Sequence, residues 1–332
     1  MASSASVDFS VSRDDILSQA LQDVGVMAAT DTTSSTSFTN HSAMVAIKLN
    51  MLVKQWSGQA DFAPGLKMWS RKRAYLFLCG GQAVYTLGPT TTATGTTNKW
   101  ASSYVTTTVG ANEAAGQTDI TVASITGISD TDRIGIELDD GTMHWTVVNG
   151  SPSGTTVTIT ASLASAAASG NRIFTYATTA QGRRPLEILT ASLRSFDSSN
   201  VPTDVPIDSG MLIGQYEAVA SKAADSDPSG FYYEQSLTNG TAYLDCEPSD
   251  VAKIIRVVYL SPIEDFDAAA DTPDYDQNWY LPLALGTAYL IAPTFGRTDL
   301  MPSIKALRDE AVMIARNAIP ETTDAYFQPG GQ

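Results

Sequence analysis

Apolar residues recur every three or four positions near the start of the chain, a spacing typical of amphipathic helices. The first such segment follows Ser12, with Asp15 three residues later, and this capping-box pattern predicts a helix that Gly25 ends. A second helix is predicted over 42–56, after a Thr/Ser-rich loop. Two amphipathic helices joined by a polar loop are expected to pair as a hairpin.

The same spacing returns in the last fifth of the chain. The apolar run that follows Trp279 ends at an Ala292-Pro293 corner, and Gly296 supplies the left-handed geometry that a helix end often needs. A final helix with a basic face is predicted over 299–318. We interpret the apolar helix as a packing element and not as a catalytic motif.

Between these predicted helices the character of the sequence changes. Short β-branched runs with turn residues between them predict a small all-β module over 99–178, as a sandwich or barrel. One turn is Asp139-Asp140-Gly141, which reads as a hairpin. Further on, strands are predicted over 231–234, 241–244 and 253–259, and a short helix over 207–221.

The module separates two parts of one predicted core. The fold class is therefore α+β: a mostly helical core with small β elements, made of 1–98 and 179–318, plus the all-β module as an insertion. Two consecutive domains are the alternative. The remaining segment, 319–332, is predicted to be a C-terminal tail.

Charge is strong and uneven. The 332 residues carry a net charge of −15, which divides into +2 over 1–99, −5 over 100–180 and −12 over 181–332. A protein that grips duplex DNA shows a basic stripe, and most of this chain has the opposite sign. The run Arg71-Lys72-Arg73 is predicted to be a solvated face or a partner contact, with phosphate contact as the alternative. An acidic surface either keeps the protein soluble or lets DNA pass without sticking, since it removes the counterion-release term of non-specific binding.

Few residues suggest chemistry. The two cysteines, Cys79 and Cys246, are predicted to be buried inert thiols. With only His41 and His144, histidine-based metal or triad sites are not expected, and no cofactor is predicted. No apolar run reaches the roughly 18 residues of a membrane span.

The acidic run before the apolar helix has three readings. It is predicted to be a solvated or conduit-facing loop; a calcium site and a pair of hydrolytic carboxylates are the alternatives. Its spacing is irregular, because three alanines interrupt it. Its members are Glu264, Asp265, Asp267, Asp271, Asp274 and Asp276.

Taken in order, several segments resemble the head-to-tail adaptor family of short-tailed bacteriophages, which forms the connector ring of the virion neck. The resemblance covers about three-quarters of the chain, and the β insertion departs from it. The matching residues run from the first helix to the Ala-Pro corner: Ser12–Val26, Leu49–Trp56, Trp69, Tyr85–Gly88, Arg184–Ile188, Tyr216–Tyr233, Tyr259–Phe266 and Leu281–Gly296.

The resemblance implies a structural virion protein and not an enzyme. It implies a helical-bundle core that forms a homo-oligomeric ring, a dodecamer, between the portal protein and the tail nozzle or other neck proteins. DNA would pass through the ring without specific binding. Because twelve copies would gather many negative charges, several of the acidic residues between Glu264 and Asp276, or the final helices, are predicted to face the channel. The protein would be assembled in the host cytoplasm and end at the head–tail junction, with no membrane partner.

The resemblance also implies a docking role for the tail. Ile319, Tyr326 and Phe327 are the expected contacts with the portal, because buried aromatic residues make strong interface anchors. Two other classes of function stay open: a virion-borne peptidoglycan hydrolase, and a glycan-binding module on the insertion.

Overall fold

In a computed structural model, the long helices lie near the two ends of the chain and the strands lie between them. The structure describes residues 9–58, 71–89, 99–236, 238–272 and 277–317. The chain divides into two compact units. A helical unit takes 1–70 and 263–332, and a sheet unit takes 71–262. The predicted α+β class is confirmed.

The described part of the helical unit holds four long helices: α1 (Arg13–Asp23), α2 (Thr36–Gly58), α4 (Tyr280–Ile291) and α5 (Met301–Asn317). Two 3-10 turns, Gln277–Trp279 and Ala292–Phe295, flank α4. Helix α4 is central, because α1, α2 and α5 all pack against it. The four helices share one hydrophobic cluster, in which the rings of Trp56 and Trp279 meet edge-on.

Both predicted ends of helices are confirmed. Ser12 caps α1, and its side chain and that of Asp15 bond reciprocally to the backbone as a capping box requires. The 3-10 turn after α4 ends at Gly296, whose φ of +68° lies in the left-handed region. That geometry favours glycine over residues with a Cβ atom.

Helix α2 begins at Thr36, six residues before the predicted start. The polar loop therefore contributes a helical turn, in which Phe38 is buried in the helical core. Ser35 begins this turn, because its hydroxyl accepts a hydrogen bond from the Phe38 amide. Burial of one aromatic side chain outweighs the weak helix propensity of Thr, Ser and Asn.

The sheet unit is built on an eight-stranded sheet in the order β2-β14-β13-β11-β10-β16-β1-β3. Its strands are antiparallel apart from the parallel pair β11–β13. The strands are β1 (Arg71–Phe77), β2 (Val84–Leu87), β3 (Trp100–Ala101), β10 (Glu187–Phe196), β11 (Pro202–Met211), β13 (Gly230–Gln235), β14 (Gly240–Leu244) and β16 (Ile254–Leu260). Two short strands, β12 (Asp225–Ser226) and β15 (Glu247–Pro248), pair in parallel as a separate two-stranded sheet.

This sheet is larger than the small β elements that the sequence predicted for the core. The predicted helix over 207–221 was also wrong at both ends. Residues 207–211 end β11, and only Ile213–Glu217 form a helix, α3. Two glycines, Gly210 and Gly214, lie in this stretch. They weaken a helix by about 1 kcal/mol each relative to alanine, and strand pairing with β10 and β13 takes the upstream half.

The predicted strands of the β module are confirmed. A four-stranded sheet has the order β4-β9-β6-β7, and β5 pairs with β8. The two sheets share a hydrophobic cluster. The strands are β4 (Val105–Thr108), β5 (Asp119–Thr121), β6 (Arg133–Glu137), β7 (Met143–Val147), β8 (Thr156–Thr158) and β9 (Arg172–Tyr176).

An aromatic cluster connects the module to the larger sheet. Phe77 at the end of β1 stacks on Tyr176 at 5.5 Å between ring centroids, and it also contacts Trp145 and Phe174. The predicted boundary at 98/99 places β3 in the module, whereas β3 pairs with β1 of the eight-stranded sheet. The assignment of 99–178 as an inserted domain stays a prediction.

The hairpin of β10 and β11 leaves one strand edge free. Within the described residues, 202–207 of β11 pair with β10 alone, and pairing with β13 begins only at Asp208. The amide of Asp208 points away from β10, to the oxygen of Ser229. Even-numbered residues of β11 therefore direct their backbone groups to the free edge, and two of them are Pro202 and Pro206.

Candidate functional site

The acidic segment lies in the helical unit, before α4. Of its six predicted carboxylates, Glu264, Asp265 and Asp267 are exposed, and Asp271 is half-buried. Asp274 and Asp276 lie outside the described residues. A shallow cleft of about 460 Å³ is lined by residues 264–268 and 271–272.

Helix α2 holds one end of this segment. Asn50 brackets the backbone of Phe266: its side-chain oxygen accepts from the Phe266 amide at 2.9 Å, and its nitrogen donates to the Phe266 oxygen at 3.3 Å. Lys54 donates to the oxygen of Ile263 at 2.8 Å and lies 2.7 Å from a carboxylate oxygen of Asp265. Ile263 and Phe266 are both buried in the helical core, so the backbone is fixed while the carboxylates stay outside.

The N-terminus of α1 holds the other end. The amide of Arg13 donates to the oxygen of Asp271 at 2.7 Å, and that of Asp14 donates to the oxygen of Ala269 at 3.3 Å. The Arg13 guanidinium also donates to the oxygen of Asp267, at 2.9 Å. Free amides at a helix start thus find backbone partners in the acidic segment.

Asp271 has a structural role within the segment. One of its carboxylate oxygens accepts the amides of Asp267 at 2.8 Å and Ala268 at 2.6 Å, which closes a turn. The Asp271 carboxylate therefore stabilises the backbone turn of its own segment. In the part of the chain that the structure describes, no group of three or more His, Cys, Asp or Glu side chains is arranged to hold a metal ion.

The arrangement is a rigid acidic surface. Its three exposed carboxylates project from a backbone that two helices hold, and Asp265 forms an ion pair with Lys54. That pair is about half exposed on both sides, so it contributes little stability. Whether these carboxylates face a channel depends on an assembly, and the channel-facing role stays a prediction.

The predicted docking residues Ile319, Tyr326 and Phe327 lie outside the described residues. The basic run forms the start of β1, where Arg71 and Arg73 are exposed and Lys72 is half-buried. These residues pair with Leu260, Tyr259 and Val258 of β16. The run is therefore the start of a paired strand, with the side chains of Arg71 and Arg73 exposed.

The remaining predicted residues have structural roles. Asp139-Asp140-Gly141 forms the turn between β6 and β7, and a carboxylate oxygen of Asp140 accepts from the amide and hydroxyl of Thr142. His144 lies on β7, with a ring nitrogen 3.2 Å from the oxygen of Ala161. The hairpin interpretation is confirmed.

Both cysteines are free and buried, as predicted. Burial raises the pKa of the Cys79 and Cys246 thiols, which keeps them protonated and unreactive near neutral pH. The hydroxyl of Tyr85 clasps the backbone of Cys79, accepting from its amide at 2.9 Å.

Sequence reasoning missed a charged network on the hairpin of β10 and β11. Arg194 forms a bidentate pair with Asp204 at 2.7 and 2.8 Å, and Arg256 reaches the same carboxylate at 3.0 Å. The hydrogen bond from Arg194 holds the pKa of Asp204 below its usual value. Opposite charges ten residues apart, flanking the turn-forming Asp197 and Asn200, are the signal that could have located it.

A second missed feature is a groove of about 800 Å³ in the sheet unit. Its walls come from the start of β10, the segment around α3, and β13. Tyr232 in this wall belongs to a cluster with Tyr216 and Tyr243, whose ring centroids lie 5.6–6.2 Å apart. Lys222 lies over the Tyr216 ring at 4.7 Å.

The sequence matches no model of a known protein family and no curated protein. Within the described ranges, every helix is too short or too polar to cross a membrane.

Proposed function

We propose that this protein is a structural component of a bacteriophage virion: a head-to-tail adaptor that forms a ring between the portal and the tail. The helical unit is the bundle core of this adaptor, and the ring is a dodecamer. The ring extends the DNA channel, and its other face is the platform for the tail nozzle or another neck protein. The function is mechanical, with no turnover.

The observation that carries the proposal is the acidic segment held between α1 and α2. Its backbone is fixed at Asn50, Lys54 and Arg13, while the carboxylates of Glu264 and Asp267 remain in water. A ring of such segments repels phosphates, so DNA slides past without non-specific binding. Twelve copies would bring together roughly 180 negative charges.

The ordered resemblance to adaptor segments supports the same proposal. It includes the capped helix α1, the second helix up to Trp56, and the Ala-Pro corner after α4. Trp56 and the corner belong to the helical core, so the resembling positions are those that build this unit.

The proposal is tested by native mass spectrometry of the full chain, alone and mixed with the portal ring from the same genome, over a range of salt. Binding of many copies to each portal ring is expected, even where the protein alone is a monomer. A protein that stays monomeric and does not bind the portal at any salt refutes the adaptor role.

The channel-facing charge has its own test. In the portal-bound complex, D265N/D267N is expected to keep the stoichiometry and to bind duplex DNA more tightly at low salt. The control D225N/E247Q removes two carboxylates from the sheet unit and is expected to leave DNA binding unchanged. Equal DNA binding by both variants refutes the channel-facing placement.

The groove of the sheet unit favours glycan binding as a second candidate. It presents Tyr232 and Tyr233 beside the side chains of Gln215, Gln235 and Glu187. Aromatic faces with amide and carboxylate partners suit neutral sugars. The test is a glycan array probed with the full chain and with its Y232A variant. Glycan binding that Y232A abolishes supports the groove as a binding site, and the absence of glycan binding by the full chain rejects this second candidate.

A further inference from the structure

Helix α5 has two apolar faces. One is buried in the helical unit through Ile304, Ala311, Val312 and Ala315. The other is in solvent, where Leu307, Met313 and Ile314 are 55%, 57% and 59% exposed. Leu307 and Ile314 are seven residues apart, so they lie on one side of the helix, two turns from each other.

Helix α2 repeats this arrangement. Its inner face buries Val45, Leu49 and Leu52. On its outer face Ile47 and Met51, four residues apart, are 58% and 59% exposed. Each outer face therefore holds large apolar side chains in water.

These two outer faces do not cover each other within one chain. Helices α2 and α5 each pack on α4 and have no substantial contact with one another. They therefore present two separate apolar surfaces from the same unit.

The two faces carry opposite charges. Lys48 flanks Ile47 and Met51 on α2, and Glu310 lies between Leu307 and Ile314 on α5. Within the described residues, neither Lys48 nor Glu310 forms an ion pair. If either face docked on its own copy, like charges would meet; if one face docks on the other, Lys48 meets Glu310.

We infer that the partner for these faces is a second copy of this chain: the outer face of α5 on one protomer packs against the outer face of α2 on the next. Such a contact joins two different surfaces, so each protomer keeps one free face of each kind after pairing. Repetition of a heterologous contact closes a ring when the rotation allows it. The inference rests on the proposed ring and names its subunit contact.

Disulfide trapping tests the geometry. Ile47→Cys and Leu307→Cys are introduced in separate chains, which are mixed, assembled on the portal and oxidised; the native cysteines are buried and do not interfere. A disulfide-linked dimer is expected from the mixture and not from either variant alone. Ile47→Cys with Val84→Cys, an exposed position in the sheet unit, is the control pair.

Charge reversal tests the chemistry. Lys48→Glu and Glu310→Lys are each expected to weaken assembly at least about tenfold, and the double variant to recover to within about threefold of the wild type. The control Lys305→Glu reverses a charge on a different side of α5 and is expected to have no effect. Circular dichroism checks that each variant folds.

The outcomes separate this inference from the adaptor role. Many copies on the portal, with no trapped dimer and no rescue, overturn the contact and leave the adaptor role intact. Self-association with trapping and rescue but no portal binding supports the contact and rejects the adaptor role. A chain that stays monomeric at high concentration, with and without the portal, overturns both.

Discussion

Replacing Leu283 by alanine tests whether α4 is the centre of the helical unit. Leu283 is fully buried in the helical core, whereas Leu281, two residues earlier on the same helix, is 58% exposed. Truncation of Leu283 removes three methylene-sized groups, at about 0.8 kcal/mol each or about 2.4 kcal/mol together. The cavity that remains raises the expected loss to about 3–4 kcal/mol.

The assay is urea unfolding followed by far-ultraviolet circular dichroism. This signal reports mainly on the helical unit, because the four long helices belong to it, whereas the described part of the sheet unit holds the five-residue α3 and a three-residue 3-10 turn. With an m value of about 2 kcal/mol per molar urea, a loss of 3 kcal/mol lowers the midpoint by about 1.5 M. The matched variant Leu281→Ala is expected to change stability by less than about 0.5 kcal/mol.

The comparison between the two leucines is decisive. Similar losses for Leu281→Ala and Leu283→Ala would show that α4 does not bury the side that the structure assigns to the core. A loss below about 1 kcal/mol for Leu283→Ala would refute the packing argument, because no repacking recovers a full leucine cavity at a central helix.

Three other predictions concern the sheet unit. Asp204→Asn is expected to lower the free energy of unfolding by about 1–2 kcal/mol near neutral pH, because it breaks the half-buried pair with Arg194. The folded pKa of Asp204 lies below its usual 3.8, so this loss is present above pH 3.8 and disappears as pH falls through the folded pKa. Urea titrations of both proteins along a pH series measure it. Burial raises the pKa of Tyr233 from 10.0 to about 12, so the stability that its neutral hydroxyl contributes is present below pH 10.0 and is lost as pH rises towards 12. Tyr233→Phe is therefore expected to lose less stability than the wild type between pH 10 and pH 12. An equal loss in both proteins over this range would contradict the prediction. Gly240→Ala is expected to destabilise by about 1–3 kcal/mol, because a Cβ there meets the ring of Tyr233, whereas Gly214 has open space and its alanine variant is the control; equal melting temperatures would contradict the close approach.

The helices were predictable because their signals are local. Ser12 and Asp15 are three residues apart, and the stripe of α2 spans only a few turns, so neighbouring positions contain the information. The same holds for the hairpin turn at Asp140, where side chain and backbone partners are two residues apart. The start of α2 was missed because its cause, the burial of Phe38, is a tertiary contact. The helix predicted over 207–221 was wrong because residues 207–211 belong to β11, whose partners β10 and β13 are not visible in the local pattern.

The eight-stranded sheet was not predictable in the same way. Strand β1 pairs with β16, so Arg71 faces Leu260 from nearly 200 residues away. Strand β10 lies between β11, its neighbour in sequence, and the distant β16. Periodicity indicates a strand but not its partner, and residues 190–208 alternate weakly because most of β11 is exposed on both faces.

The acidic segment was recognised from composition, but its construction was not. Its charge is evident in the sequence, whereas the anchoring of Phe266 by Asn50 joins residues 216 positions apart. A side-chain amide that brackets a distant backbone leaves no pattern in either local segment. The same applies to Asp204, whose second arginine partner, Arg256, becomes visible only with β16 in place.

Within the described residues, 202–207 of β11 leave one strand edge unpaired. An unpaired strand edge is a template on which a second chain can add a strand and begin an aggregate. Here Pro202 and Pro206 occupy alternate positions that face this edge, and proline has no amide hydrogen to donate. Between them only the amide of Asp204 points outwards, beside a carboxylate already bound to two arginines. The hairpin thus resists sheet growth between copies, and neighbouring chains can be crowded together without exchanging strands.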